Sequence, residues 1–270
     1  MLSAWRAIYM RKLDALGGRG FRLLGVIFFL LLARASYAQQ REDIAPIDPG
    51  RPDQTNGTSV VQKHFVQLEG GLRYQDGRSS RTYNYPTLTV RYGLLDRVEL
   101  RLGTGFEASI PSSSRQGQRG LGAPEVGTRV QLWDEKGILP QAAFTATATL
   151  PVGKKELRPT NPEARLRLGF SNSLTDALSL TYTYGYGWVQ NDTEQKYAVK
   201  LAARLSKQFS IYGEAFGTTE ARSRPDNEVD AGLLWLVRPN LQLDVAGGVG
   251  ISRAAPSFFL TTGASIRLPY

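Results

Sequence analysis

The feature that most constrains this chain is an alternation of apolar and polar residues that begins near Lys63 and continues to the C-terminus. The stretches 97–103 (RVELRLG), 163–170 (EARLRLGF) and 197–205 (YAVKLAARL) show it most clearly. A repeat of two places successive side chains on opposite faces of a β-strand. Each segment is therefore predicted to be a strand with one apolar face and one largely charged face.

Extension of this phase along the chain predicts about twelve strands. They span 63–74, 82–93, 97–107, 121–133, 140–150, 163–171, 177–189, 196–205, 209–217, 229–237, 241–251 and 258–270. Their lengths are close to the roughly 9–11 residues that a tilted membrane strand needs, and outer-membrane barrels have an even strand count. We therefore predict an all-β fold, an antiparallel transmembrane β-barrel over residues 63–270.

The predicted connections alternate between two kinds. Segments such as 94–96 and 238–240 are short and contain turn-forming Asp, Pro or Asn. Those at 109–119, 151–162 and 218–228 are longer. This asymmetry predicts short periplasmic turns, longer external loops and a barrel with both ends in the periplasm.

A soluble β-sandwich or lipocalin-like barrel is the alternative, because both also repeat every two residues. The aromatic residues favour the membrane barrel, since they concentrate toward the segment ends as interfacial girdles do. These aromatic residues are Tyr92, Phe106, Phe144, Phe170, Trp188, Tyr197 and Trp235.

The N-terminus predicts export. Residues 1–38 combine a long basic region, the apolar run 23–33 (LLGVIFFLLLA) and the small-residue site Ser36-Tyr37-Ala38, which is the pattern of a cleavable signal peptide. Cleavage is predicted near Ala38, and the start at Met1 or Met10 stays open. Residues 39–62 are polar, rich in Pro, Asp and Gly, and without a period. We interpret them as an irregular periplasmic segment or a lumen plug.

Composition excludes several kinds of chemistry. Much of the net charge of +9 lies in the predicted signal peptide, and the other basic residues are scattered, so no nucleic-acid partner is predicted. There is no Cys and the sole His is His64, which argues against disulfides, a metal site and a His-dependent enzyme. We predict no catalytic residue and no cofactor.

The last segment predicts an assembly signal. Gly263, Ile266, Leu268 and the terminal Tyr270 lie in an alternating apolar strand, a pattern similar to the one by which the outer-membrane assembly machinery recognises barrels. Pro269 departs from that pattern because it has no N–H. The predicted location is the bacterial outer membrane.

Several segments resemble one family of outer-membrane barrels. They are 51–55 (RPDQT), 65–71 (FVQLEGG), 91–101 (RYGLLDRVELR), 230–232 (DAG) and 241–244 (LQLD). In them the chain resembles the family described as a putative MetA pathway of phenol degradation, whose members are usually labelled transporters. The resemblance implies a barrel and small-molecule transport, and it supplies no binding residues.

The polar face predicts the residues that line the lumen. The candidates are Arg91, Glu99, Arg101, Glu125, Arg129, Arg165, Arg167, Lys200, Arg204, Glu214, Asp244 and Arg267. One interpretation is a ladder of ion pairs that fills a narrow barrel, because buried charges must be paired. The other is a polar conduit, in which Arg165 and Arg167 are the best candidates for contact with an anionic solute.

These features predict a transporter-like or porin-like barrel that passes or binds a small, unidentified solute. The alternative is a non-conducting barrel that serves adhesion or envelope integrity. Outer-membrane lipid and lipopolysaccharide are the expected surroundings, with basic external loops near lipopolysaccharide phosphates. A monomer is the default expectation.

Overall fold

A computed structural model describes residues 45–77, 80–111, 117–221 and 223–269. The predicted signal peptide, residues 39–44 and Tyr270 lie outside these ranges. The described part contains one short 3-10 helix, Lys155–Leu157, and thirteen strands. The strands are β1 (Val66–Asp76), β2 (Ser80–Leu95), β3 (Val98–Pro111), β4 (Gln118–Leu121), β5 (Glu125–Trp133), β6 (Gln141–Thr149), β7 (Glu163–Ser173), β8 (Leu178–Val189), β9 (Asp192–Arg204), β10 (Phe209–Glu220), β11 (Asp226–Arg238), β12 (Leu241–Gly250) and β13 (Phe258–Leu268).

The strands close into a barrel. Apart from β4 and β5, which both pair with β3, each pairs antiparallel with its neighbours in chain order. The first and last strands, β1 and β13, also pair, and Val66 lies opposite Leu268. Since β4 and β5 both pair with β3, they form one interrupted barrel strand. The result is a closed antiparallel barrel of twelve strands, as predicted. Closure gives each strand two partners except β4, which among the described residues pairs with β3 alone.

One predicted strand is interrupted in the structure, and the bounds of others differ by a few residues, so that β10 and β11 extend into the predicted loop 218–228. Residues 121–133 were expected to be continuous, but the strand breaks between β4 and β5. Pro124 has no N–H to donate to a ladder, and the Gly122 N–H donates to the Gly105 carbonyl at 2.7 Å instead. The hairpin of β3 and β4 also extends into the predicted loop 109–119.

The distribution of burial is the reverse of that in a soluble protein. Leu100 and Leu102 on β3 are 44% and 51% exposed. On the other face of the sheet, Glu99 on β3 is fully buried and Arg129 on β5 is 1% exposed. Apolar residues thus cover the outside and charged residues occupy the inside. Rings such as the stacked pair Phe209 and Trp235 lie on the outer face near one end.

The two ends of the barrel differ. At the turn end, where β1 begins and β13 ends, connections such as 96–97, 205–208 and 239–240 are short. At the loop end, 150–162 carries the 3-10 helix, whereas Gln190 and Asn191 alone join β8 to β9. Both have positive φ, 51° and 67°, as a two-residue type I′ turn requires. Loops at this end are therefore longer at some positions only. Within the described ranges, no helix is long and apolar enough to cross a membrane.

Residues 45–65, which we call the N-terminal segment, start and finish at the turn end. The Ile47 N–H donates to the Pro239 carbonyl at 2.8 Å, and the His64 N–H donates to the Gly93 carbonyl at 2.8 Å. Between these anchors the segment contacts inward side chains of many strands. Ile47, Thr55 and Val61 are all buried.

Candidate functional site: the barrel interior

The N-terminal segment passes close to the barrel wall at Gly93. The Gly93 N–H donates to the Phe65 carbonyl at 3.0 Å. A Cβ on residue 93 would lie 2.1 Å from the Gln62 carbonyl oxygen, far inside van der Waals contact. Glycine at this position therefore lets the chain enter along the wall.

A buried ion-pair cluster lies above this entry. Arg91 donates to Glu69 at 2.8 Å and, through two nitrogens, to Glu99 at 3.0 and 2.8 Å. All three side chains are at least nine-tenths buried. The charges in this cluster neutralise one another in the interior. Buried ion pairs are tolerated only when the groups are well oriented and their hydrogen bonds are complete.

Wall carboxylates also bind the backbone of the N-terminal segment. Glu214 accepts from the N–H groups of Gln54 and Thr55 at 2.8 and 2.6 Å, and from the Thr55 hydroxyl. Glu99 accepts from the Val61 N–H at 2.8 Å. A segment without secondary structure has unpaired N–H groups, and these inward acids satisfy several of them.

Arginines on the barrel wall donate hydrogen bonds to backbone carbonyl groups of the same segment. Arg91 and Arg129 both donate to the Ser59 carbonyl, at 3.2 and 3.1 Å. Arg129 also donates to the Thr145 hydroxyl at 3.1 Å. Arg267 donates to the Ala45 carbonyl. The backbone of the segment is thus held by both signs of wall charge.

Two charged side chains of the segment pair with different strands of the wall. Arg51 donates twice to Asp244, at 3.0 Å each, and Asp53 accepts from Lys200 at 2.8 Å. Gly71 and Gly263 lie opposite each other on β1 and β13. A Cβ on either would lie 2.2 or 2.4 Å from the Arg51 guanidinium, so the paired glycines make room for it.

The wall beyond Asp244 is acidic. Asp226, Glu228 and Asp230 face inward on β11, and both carboxylate oxygens of Asp230 are buried without a hydrogen-bond partner in the described residues. Arg73 is 4.0 Å from Glu228 and lies over the Phe259 ring. Three inward carboxyl groups are therefore adjacent on this strand, with Arg73 as a nearby cation.

A cavity of about 780 Å³ opens at the loop end. It is formed by β3, β5 to β9 and the connection that contains the 3-10 helix. Its walls are mostly polar, with a row of hydroxyls from Thr145, Thr147 and Thr149 on β6. Asn56 of the N-terminal segment lines it from inside the lumen. The cavity is therefore a polar vestibule that ends on the segment.

The two arginines predicted to contact an anion differ in their surroundings. Arg165 donates to Glu194, Thr149 and Glu163 at 3.0 to 3.1 Å, so its donors are already occupied. Within the described ranges, no carboxylate lies within ion-pair distance of Arg167. Arg167 lines the vestibule together with Arg101.

Other predicted lumen residues lie apart from this group. Glu125 begins β5 at the vestibule rim and is exposed. Arg204 ends β9 at the turn end, is exposed and donates to the Asp176 carbonyl. Arg204 therefore contacts a turn rather than the interior network. The alternation assigns it to the inward face, but it is the last residue of β9 and lies at the open end of the barrel.

The predicted assembly-signal residues lie on β13. Gly263 faces inward under Arg51, and Ile266 and Leu268 lie on the opposite face, which is partly exposed. Tyr270 lies outside the described residues. Their positions on two faces of one strand follow from the alternating phase.

The interior contains contacts that the alternation did not identify. Arg51, Asp53 and Asn56 belong to a stretch without a period, so the pattern offers no face for them. The signal available was chemical: a polar, charged segment of this kind fits beside a charged lumen. In the described part of the chain, no group of three or more His, Cys, Asp or Glu residues is placed to hold a metal ion.

Comparison with known proteins gives a family and a set of similar folds. The family model described as "Putative MetA-pathway of phenol degradation" matches residues 49–268. Among curated proteins, none matches the chain.

Solved outer-membrane barrels share the fold at low identity. The crystal structure of an outer membrane channel from Pseudomonas putida matches with a TM-score of 0.64 and 12% identity, covering 81% of this chain and 100% of that one. The NanC porin matches with a TM-score of 0.53 and 10% identity, covering 75% and 100%. The KdgM porin has a TM-score of 0.54 and 14% identity, covering 74% and 98%.

Proposed function

The chain belongs to the family described as the putative MetA pathway of phenol degradation, and from that premise we propose that it is an outer-membrane channel for passive passage of a small solute. In this proposal the N-terminal segment fills part of the lumen and narrows the path. The protein is not an enzyme in this proposal, and its solute is bound only by lumen side chains.

The vestibule is the observation that carries the proposal. A cavity of about 780 Å³ lies within the range of small-molecule sites, and it opens at the loop end. A barrel filled only to stabilise itself has no need of such a space, because interiors of that kind are packed by side chains. Its polar lining favours a hydrated or charged solute over an apolar one.

Export and assembly are part of the same proposal. Residues 1–38 are removed near Ala38, residues 39–62 remain attached, and the mature monomer is inserted by the outer-membrane assembly machinery in contact with lipopolysaccharide. Mass spectrometry of protein purified from outer membranes tests the first step. A mature mass that begins far from Gln39 contradicts it.

One observation favours the second candidate function, a non-conducting structural barrel. The N-terminal segment is extensively bonded to the wall, and Thr55 at its centre is fully buried. A segment held so firmly could close the lumen completely.

Single-channel conductance in planar bilayers separates the two. We expect the mature protein to conduct weakly, because the segment narrows the path, and a variant that lacks residues 39–62 to conduct more. Arg204→Ala is the matched control, since this arginine lies outside the interior network. Absence of conductance in both proteins, with both barrels folded, supports the structural candidate and rejects the channel.

A further inference from the structure

We propose that a small anion carrying carboxylate groups binds between Arg101 and Arg167, at the inner end of the vestibule and beside Asn56. This anion is the proposed solute class of the channel described above. The inference rests on the proposed function only in the statement that the anion passes through the barrel. Binding itself is measurable without conduction.

Within the described residues, Arg167 has donors without a protein acceptor. Its described contact is with the Asn56 amide, which fits best when its nitrogen donates to the Gly50 carbonyl at 3.2 Å and its oxygen accepts from Arg167 Nη1 at 3.1 Å. Acidic side chains such as Glu125 and Glu214 act on it only from beyond ion-pair distance in the described residues. A neutral amide oxygen is a weak partner for a guanidinium that can bind a carboxylate with two parallel bonds.

Arg101 is also incompletely neutralised. Its carboxylate partner is Glu99 at 3.7 Å, and that group already accepts from Arg91 and from the Val61 N–H. In the favoured Asn56 orientation the amide nitrogen faces Arg101 Nη2 at 3.4 Å, so it offers no acceptor. Both arginines therefore face Asn56 without a full set of acceptors.

Short side chains line part of the wall between the two arginines. Arg101 on β3 lies opposite Gly127 on β5, which lies opposite Thr147 on β6. Arg167 on β7 lies opposite Thr145. Arg129 on β5 lies opposite Thr145, and it donates to the Thr145 hydroxyl and the Ser59 carbonyl. Gly127 and the short threonines leave space beside it, so an anion there meets the guanidinium groups of Arg101 and Arg167 and neighbouring hydroxyls. Arrays of this kind suit a hydroxylated dicarboxylate.

Charge along the vestibule sets the direction of binding. Glu107 and Glu125 lie nearer the loop end than Arg101 and Arg167 on the same or adjacent strands. Glu163 and Glu194 are occupied by Arg165. Negative charge at the rim and incompletely neutralised positive charge at the inner end direct the carboxylates of a solute inward.

Titration calorimetry on the folded mature protein in detergent micelles tests the site, with tartrate as the probe. Threitol, in which both carboxylates are replaced by hydroxymethyl groups, is the neutral counterpart. We expect saturable tartrate binding that weakens at high salt, and no binding of threitol. Arg101→Gln and Arg167→Gln should each weaken tartrate binding by about tenfold or more. Arg204→Gln should change it by less than about twofold, because that arginine lies at the other end.

The outcomes are decisive in both directions. The proposal is overturned if the wild-type protein shows no saturable tartrate binding, if threitol binds equally well, or if both Gln variants bind as the wild type does. Should neither Gln variant fold, Arg167→Lys replaces them, since it keeps the charge and loses the planar fork. Weaker binding by that variant supports the site, and unchanged binding rejects it. Tartrate binding without conductance contradicts only the proposed function, and conductance without tartrate binding contradicts only this site.

Discussion

Arg91 illustrates how single residues make a charged interior possible. Its guanidinium is 1% exposed and donates to Glu69 and Glu99, and its two remaining donors reach the carbonyls of Asp48 and Ser59. Burial of an unpaired charge is very unfavourable, and removal of one partner from a buried pair typically costs several kcal/mol. The stability of the interior therefore depends on complete sets of partners.

Replacement of Glu99 tests this dependence. Glu99→Gln removes the charge that Arg91 and Arg101 share and keeps the shape of the side chain. We expect the free energy of unfolding to fall by about 3 kcal/mol, measured by urea unfolding of the barrel in lipid vesicles with tryptophan fluorescence. Glu125→Gln, on an exposed carboxylate at the vestibule rim, should change it by less than about 0.5 kcal/mol. Equal effects of the two substitutions would contradict the role assigned to Glu99.

At the scale of elements, the N-terminal segment depends on the wall for its conformation. It has no strand pairing over residues 45–62, and its N–H groups and carbonyls bind Glu214, Glu99, Arg91 and Arg129 instead. Arg51 adds an ion pair with Asp244 on β12. Loss of the Arg51 pair should therefore loosen the whole segment, because local opening is governed by a small number of contacts.

Thiol labelling measures that loosening. The chain has no Cys, so Thr55→Cys introduces a single thiol at a fully buried position. We expect slow reaction with a water-soluble maleimide, and reaction faster by on the order of tenfold when Arg51→Ala is added. Val152→Cys, on an exposed loop residue, should react quickly in both backgrounds. A rate at Thr55→Cys that does not respond to Arg51→Ala would show that the segment is held without the Asp244 pair.

At the scale of the whole molecule, the barrel is stable only in a solvent that matches its outer face. Aliphatic side chains such as Leu168 at the centre of β7 are directed away from the lumen and are exposed. In a bilayer these side chains meet hydrocarbon, while the backbone is satisfied by closure of the sheet. The same surface would aggregate in water.

A charge on the outer face tests the membrane depth of β7. Leu168→Arg should lower the free energy of unfolding in vesicles by about 2–4 kcal/mol, as expected for arginine near the bilayer midplane. Ile138→Arg, at a fully exposed position in a turn-end connection, should have an effect of about 0–1 kcal/mol. A larger effect at Ile138 than at Leu168 would mean that the bilayer does not cover the centre of β7.

Much of the fold follows from local sequence. The strand phase, the strand number and the inward direction of residues such as Glu99 and Arg167 are encoded every two residues, so they are visible without any knowledge of pairing. The break at Pro124 was not predicted, because the alternation continues across it while the missing N–H acts only on the hydrogen-bond ladder. Arg204 was predicted to line the lumen because the alternation places it on the inward face. It is exposed instead, because it lies at the end of β9.

By itself, the sequence determined the alternation of faces along each strand and that one face is largely charged, because the pleat of a strand is a local property. Only the tertiary structure decided which charges meet. Arg51 and Asp244 are separated by 193 positions, and Thr55 and Glu214 by 159, so their contact depends on closure of the barrel around the N-terminal segment. Arg165 is fully paired, while Arg101 and Arg167 keep unused donors among the described residues. This difference depends on the closed barrel for the same reason and cannot be found in any single segment of the chain.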